Sequence, residues 1–198
     1  KKIKKYFNDQ NVNVNTFNGS LLWEPWNIAK KDGTPYKVFT PYYRKGCLNS
    51  DKPRIPLPAP NLSNLISIDH DFKIEDLELM PKNNWYNKMT SLWSPGEEGA
   101  LNKIEEFISN GLNNYKEGRN FPSNQNVSQL SPHLHFGEVS PNQVWYRAKT
   151  KEGKLGIKKD LDHFLSELGW REFSFNLLYH FPFLPKENLQ KKFDNFPW

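Results

Sequence analysis

The stretch FLSELGWREFSF places Glu167, Trp170, Arg171 and Ser174 at spacings of three, four and seven, and in an α-helix those spacings bring side chains onto one face. A carboxylate, an indole and a guanidinium on one face suit a flat ligand that has hydrogen-bonding edges and a phosphate. Trp170 would stack on it, Glu167 would accept from ring N–H groups and Arg171 would pair with the phosphate. The same spacing also describes a tryptophan at the edge of a core, with Glu167 and Arg171 as an ordinary helix pair four residues apart. Spacing leaves both readings open.

A second set of chemistry-bearing residues lies in QLSPHLHFGEVSPNQVW, residues 129–145, where two Ser-Pro pairs stand nine residues apart around two histidines and a glycine. Each pair can open a helix, because Ser caps free amides of the first turn and Pro fits the first helical position, where no N–H is needed. At Ser140-Pro141, Gln143 completes a capping box and Val144, Trp145 and Ala148 begin an apolar stripe. Ser131-Pro132 instead follows the small polar run from Ser123 to Ser128, which reads as a loop delivering backbone amides and hydroxyls to a ligand. His133 and His135 have only Glu138 nearby, fewer than the three or four ligands that zinc requires. No glycine-rich phosphate loop follows a strand, and no serine sits at a hydrolase-type elbow. Tyr115 and Arg119, just upstream of FPSNQNVSQLS, read by themselves as a surface tyrosine and arginine, and Trp198 reads as a packing residue.

These residues need elements to hold them. The long helix is predicted over Lys158 to His180, stopped by Pro182, with Leu161, Phe164, Leu165 and Leu168 as its apolar face. A shorter helix is predicted from Pro141 to about Thr150. Another begins in SPGEEGALNKIEEFI, with Ser94 as cap, Pro95 in the first turn and Glu97 closing the box, and ends at Gly111. Everything after Leu92 therefore reads as helical. Upstream, Pro53, Pro56, Pro58 and Pro60 disfavour helix and sheet and read as a stiff connector. Residues 33–45, aromatic and interrupted by proline, read as irregular and extended. In VNVNTFNGSLLW, residues 12–23, apolar and polar residues alternate around a turn at Asn18-Gly19, which predicts a strand or hairpin at the end of an α/β layer. Lys1 to Phe7 reads as the tail of a helix, and the chain is expected to be an internal piece of a longer protein.

Composition narrows the function classes. No run of about 20 apolar residues exists, so no membrane span is expected, and the N-terminal lysines lack a following signal-peptide core. A lone cysteine, Cys47, excludes an internal disulfide framework and any multi-cysteine metal site. It fits a reducing, cytoplasmic compartment. Of the net charge of +5, Lys1, Lys2, Lys4 and Lys5 supply four, leaving 5 − 4 = +1 for the rest. Nucleic-acid binding would therefore need basic groups gathered locally.

Together the segments WSPGEEGAL, YKEGRNFP, SQLSPHLHFGEVSPNQVW, ELGWREFSFNLLYHFP and FDNFPW, in that order after GTPYKVFTPYYR, resemble the photolyase and cryptochrome family of flavoproteins. The resemblance covers nearly the whole chain from about Phe17. It implies a mixed fold: the end of an N-terminal Rossmann-like α/β antenna domain (residues 1–46), an interdomain linker (47–92) and the start of an all-α FAD-binding domain (93–198). It implies that Tyr115, Phe164, Arg171 and the segment Val127, Ser128, Gln129, Leu130 and Ser131 hold FAD, with that segment wrapping the diphosphate and ribityl chain. Many relatives carry Thr at the position of Val127, so one hydroxyl contact is lost here. It also implies that Arg119, Glu167, Trp170, Arg171 and Ser174 meet DNA, and that Trp198 is the outermost tryptophan of the path that reduces the flavin.

The implied reaction is light-driven repair of cyclobutane pyrimidine dimers, a carbon-carbon lyase reaction in which an electron from reduced flavin opens the dimer ring and then returns. Glu167 would hydrogen-bond the dimer and stabilise its radical anion. Photolyases are themselves among the enzymes known to flip their target out of the duplex, and Trp170 would offset that cost by stacking. The intact protein is expected to be a monomer with a second antenna chromophore of folate or deazaflavin type, and the fragment alone is expected to be inactive. Two relatives with other functions share the pattern: cryptochrome photoreceptors and (6-4) photoproduct photolyases. The pairing of Glu167 with Trp170 favours repair over the photoreceptor, and the Trp170-Arg171-Glu172 pattern is of the dimer type and not the (6-4) type. A cofactor-free helical DNA-binding module is the reading from a different class.

Overall fold

The structure is a computed structural model that describes residues 2–66 and 71–197, the side chain of Ile74 excepted. Its α-helices are α1 (Lys2–Asp9), α2 (Phe39–Pro41), α3 (Asn87–Thr90), α4 (Glu97–Glu106), α5 (Tyr115–Gly118), α6 (Ser131–Phe136), α7 (Pro141–Lys149) and α8 (Lys158–His180). The chain divides into two compact units. The first comprises Lys1–Arg54, Ser140–Trp145 and Asp162–Trp198, the second Ile55–Val139 and Tyr146–Leu161.

In the first unit the expected strand at residues 12–23 is absent, and no strand occurs among the described residues, so the α/β layer read from the alternation is not there. Backbone groups from Ser20 to Trp23 are met by side chains instead. Asn18 turns the chain locally: its Oδ1 accepts from the amides of Ser20 and Leu21, and its Nδ2 donates to the Leu21 carbonyl. The amides of Leu22 and Trp23 donate to Glu172 Oε2 at 2.8 and 3.2 Å, and Arg171 donates to the Ser20 carbonyl at 2.8 Å. Leu21, Leu22 and Trp23 are buried, and Trp23 lies edge-on to Trp145 at 5.5 Å.

Residues 33–45 also depart from the extended reading. From Phe39 the chain winds through α2, a π turn at Tyr42–Gly46 and a 3-10 turn at Cys47–Asn49. Pro41 is no obstacle there, because it sits in the first turn, whose amides have no helical acceptor. The run buries Tyr42, Tyr43 and Cys47, the last a free thiol. It lies close to α8: a Cβ at Gly169 would stand 2.5 Å from the Tyr43 ring, nearer than atoms can pack.

In the second unit residues 55–66 have no regular structure beyond a turn, and a 3-10 turn at Ile74–Leu77 and α3 follow. The expected cap at Ser94 is corrected. Helix α4 starts at Glu97 from Gly96, whose φ of +95° turns the chain in a way open to glycine, while the Ser94 carbonyl packs where a Cβ of Gly99 would stand. Glu97 and Glu98 still face the positive end of the helix. A π turn at Phe107–Gly111 extends α4 to the expected stop, and Ala100, Ile104, Phe107, Ile108 and Leu112 are buried along it.

The predicted ends of α7 and α8 hold to within a residue. The capping box is complete: Ser140 N–H donates to Gln143 Oε1 at 2.9 Å, and Gln143 N–H donates to Ser140 Oγ at 3.2 Å. Such a box stabilises a helix start by about 1 kcal/mol. In the second unit His133 is buried, stacks on Trp93 at 4.5 Å and bonds Glu138. The Gly96 amide and His133 hold the Glu138 carboxyl below its usual range.

Candidate functional site

On α8 in the first unit, Glu167, Trp170, Arg171 and Ser174 follow one another along one stripe, while Phe164, Leu165 and Leu168 are buried. Trp170 is 46% exposed, so much of its indole is open. Glu167 Oε1 lies 3.8 Å from His163 Nε2, and about a third of its side chain is exposed. The open indole with a carboxylate one turn away can stack a planar group while accepting a hydrogen bond from its edge.

Arg171 faces a different task from the one its spacing implied. Its guanidinium donates to the Ser20 carbonyl and to Glu172 Oε1 at 3.1 Å, and it lies over the Phe175 ring at 4.8 Å. Its side chain is 22% exposed. Ser174 Oγ donates back to the Trp170 carbonyl at 3.0 Å. Burial pushes the Glu172 carboxyl up to about 7, against the pull of the Trp23 amide, Arg171 and the Leu22 amide.

In the second unit the polar loop is shaped by residues that the sequence reading passed over. Asn126 Nδ2 donates to the carbonyls of Gly111 and Asn113, each at 2.9 Å, and its side chain occupies the space of a missing Cβ at Gly118. Downstream, Gln129 has φ +54° and Leu130 has φ −85°, ψ −6°. Paired residues of opposite hand turn successive N–H groups toward one side, the geometry of backbone anion sites. Among the described residues, nothing accepts from the amides of residues 127–131. Those amides, with the hydroxyls of Ser128 and Ser131, form a donor set suited to a diphosphate. A cavity of about 220 Å³ adjoins Val127 and Gln129, but its lysine, Lys103, is already paired with Glu106 at 2.8 Å.

Tyr115 opens α5, is buried, and meets Phe107 edge-on at 5.5 Å, with the Arg119 guanidinium 5.3 Å from its ring centre. Asp160 fixes the start of that helix by accepting from the amides of Asn114 and Lys116 at 3.0 and 2.9 Å. Tyr115, Arg119 and the loop 127–131 thus share one unit, and Phe164, Glu167, Trp170, Arg171 and Ser174 share the other. Trp198 lies outside the described residues. Asn126 stood inside a run read only as polar, and Asp160 acts across more than 40 residues, so neither carried a local signal.

Residues 1–61 match the family model described as DNA photolyase. The chain is 38% identical over 200 residues to a deoxyribodipyrimidine photo-lyase of Agrobacterium fabrum, spanning all of this chain and 41% of that protein. It is 31% identical to cryptochrome-2 of Arabidopsis thaliana, over 99% of this chain and 34% of that one. Its structure superposes on a bacterial class III photolyase from Agrobacterium tumefaciens with a TM-score of 0.88 and 38% identity, covering 100% of this chain and 41% of the other. The chain therefore spans about two-fifths of the length of these photolyases.

Proposed function

Since this chain belongs to the photolyase and cryptochrome family, we propose that it is part of a light-driven, FAD-dependent enzyme that repairs cyclobutane pyrimidine dimers in DNA. The observation that carries the reading is the exposed Trp170 indole with Glu167 one helical turn away on α8. A pyrimidine dimer presents apolar ring faces and N–H edges, and this pair meets both. Stacking is worth about 1–3 kcal/mol per base, which offsets much of the few kcal/mol that extruding a base costs.

The amides of residues 127–131 with Ser128 and Ser131 would hold the FAD diphosphate, Tyr115 would lie at its phosphates and Phe164 would line its pocket. Val127 offers only backbone there. When bound and reduced, the flavin supplies the light-driven electron that opens the dimer ring. The chain's own residues orient the lesion: Trp170 by stacking, Glu167 by accepting from a base N–H. Arg119 is proposed to contact the DNA backbone. Arg171 and Ser174 flank the stacking face, and Arg171 also keeps the Ser20–Trp23 segment seated. Trp198 is proposed as the outer tryptophan of the path that reduces the flavin. A folate or deazaflavin antenna and a monomeric state belong to the same reading.

No helix among the described residues is long and apolar enough to cross a membrane. The test uses the intact protein: record its absorption spectrum, illuminate it with dimer-containing single-stranded DNA and assay restored thymines. Flavin bands with light-dependent restoration are expected. Flavin bands without restoration would assign the protein to the cryptochrome side, and an absence of flavin would overturn the cofactor reading.

A further inference from the structure

Phe39 carries no chemistry of its own, yet it lies under the residue proposed to meet the lesion. Its ring stacks on Trp170 with centroids 3.7 Å apart and planes 12° from parallel. It also lies parallel to Tyr43, with centroids 5.6 Å apart and planes 9° from parallel. Phe173 closes the group edge-on, 5.9 Å from Trp170 and 6.0 Å from Phe39. The base of this column is fixed, because Tyr43 is buried against the bare backbone of Gly169, the residue before Trp170. One face of the indole is thus backed by an aromatic cluster, while 46% of the residue is still exposed.

We propose that Phe39 is a positioning residue that sets the plane of Trp170, so that an extruded pyrimidine lands on an indole already held in place. The inference rests on the dimer-repair reading of Trp170. An unbacked tryptophan on a helix surface samples other rotamers, and freezing them at the moment of binding lowers affinity. Preorganisation acts on recognition of the extruded base alone. Contacts to undamaged strands, which reach phosphates, are unaffected.

The test measures binding of the intact, flavin-loaded protein to single-stranded DNA with and without a dimer, together with KM and kcat for repair under fixed light. Phe39→Leu is expected to lower the ratio of dimer to undamaged affinity by about two- to tenfold, the worth of one aromatic pair. The loss should appear in KM, with kcat at saturating DNA unchanged, and Phe39→Tyr should restore the ratio. In a Trp170→Phe background, Phe39→Leu should cost less than it does alone, because it acts through the indole. If Phe39→Leu fails to fold, Phe39→Met carries the same measurements. An unchanged ratio, or equal loss for both DNAs, would overturn the positioning role while leaving the repair reading intact. A wild-type protein without dimer preference would overturn both.

Discussion

Glu172 is the side chain on which the first unit's polar wiring converges. It is buried, it accepts two backbone amides, and its acidic form is favoured by burial up to a pH of about 7. A carboxyl whose folded value lies above its unfolded one binds its proton more tightly when folded. Its contribution is therefore fully present below about 4.5 and is lost as pH rises toward about 7. Between those values wild-type stability should fall by about 3 to 4 kcal/mol at most, at roughly 1.4 kcal/mol per pH unit. Glu172→Gln keeps an acceptor for Leu22 and Trp23 but has no proton to lose, so urea melts of this variant between pH 5 and 7.5 should lack that slope. An equal slope in both proteins would assign the pH dependence to another group. Arg171 follows the same logic at its other partner, Ser20: its first task is to hold the chain, and only its remaining exposure is left for a ligand.

At the scale of elements, the loop before α6 is held by one amide side chain. Asn126→Ala removes both bonds to the carbonyls of Gly111 and Asn113, each worth about 1 kcal/mol net. The loop would then have to order itself on binding. Flavin titration of the intact variant is expected to show about tenfold weaker binding or more, with α-helical circular dichroism unchanged; unaltered affinity would detach the loop from the cofactor. Elements with strong local signals were legible in the sequence. Helix α8 announced itself through a sustained apolar stripe, and α7 through the Ser140 and Gln143 box. Those decided at a distance were not. Residues 12–23 alternate like a strand, but the amides of Leu22 and Trp23 are met by Glu172, about 150 residues away. The winding at Phe39–Asn49 was hidden by Pro41, which looks like a breaker and falls where a first turn tolerates it. The stripe of Glu167 and Trp170 could be read from spacing, whereas the backing ring of Phe39 and the anchor of Asp160 come from remote sequence.

Across the whole molecule, net charge was a poor guide to where an anion would be drawn. Residues 29–49 carry Lys30, Lys31, Lys37, Arg44 and Lys45 against Asp32, so +5 − 1 = +4 in one stretch. Within the first unit, Lys30, Lys31, Lys37 and Lys45 line a cavity of about 700 Å³ that includes no acidic side chain. A single strand passing this rim would release condensed counterions. Replacing exposed Lys31 and Lys45 by Gln should then reduce the slope of log affinity against log salt by about 1.4, at roughly 0.7 per phosphate contact. Fluorescence anisotropy with undamaged oligonucleotides reads this directly, and an unchanged slope would put the strand elsewhere. The close approach at Gly169 reaches further than packing. Even alanine there would intrude on the Tyr43 ring, so the two positions are ordered in descent: residue 43 can shrink alone, but a lineage that enlarged residue 169 would have to shrink its partner first.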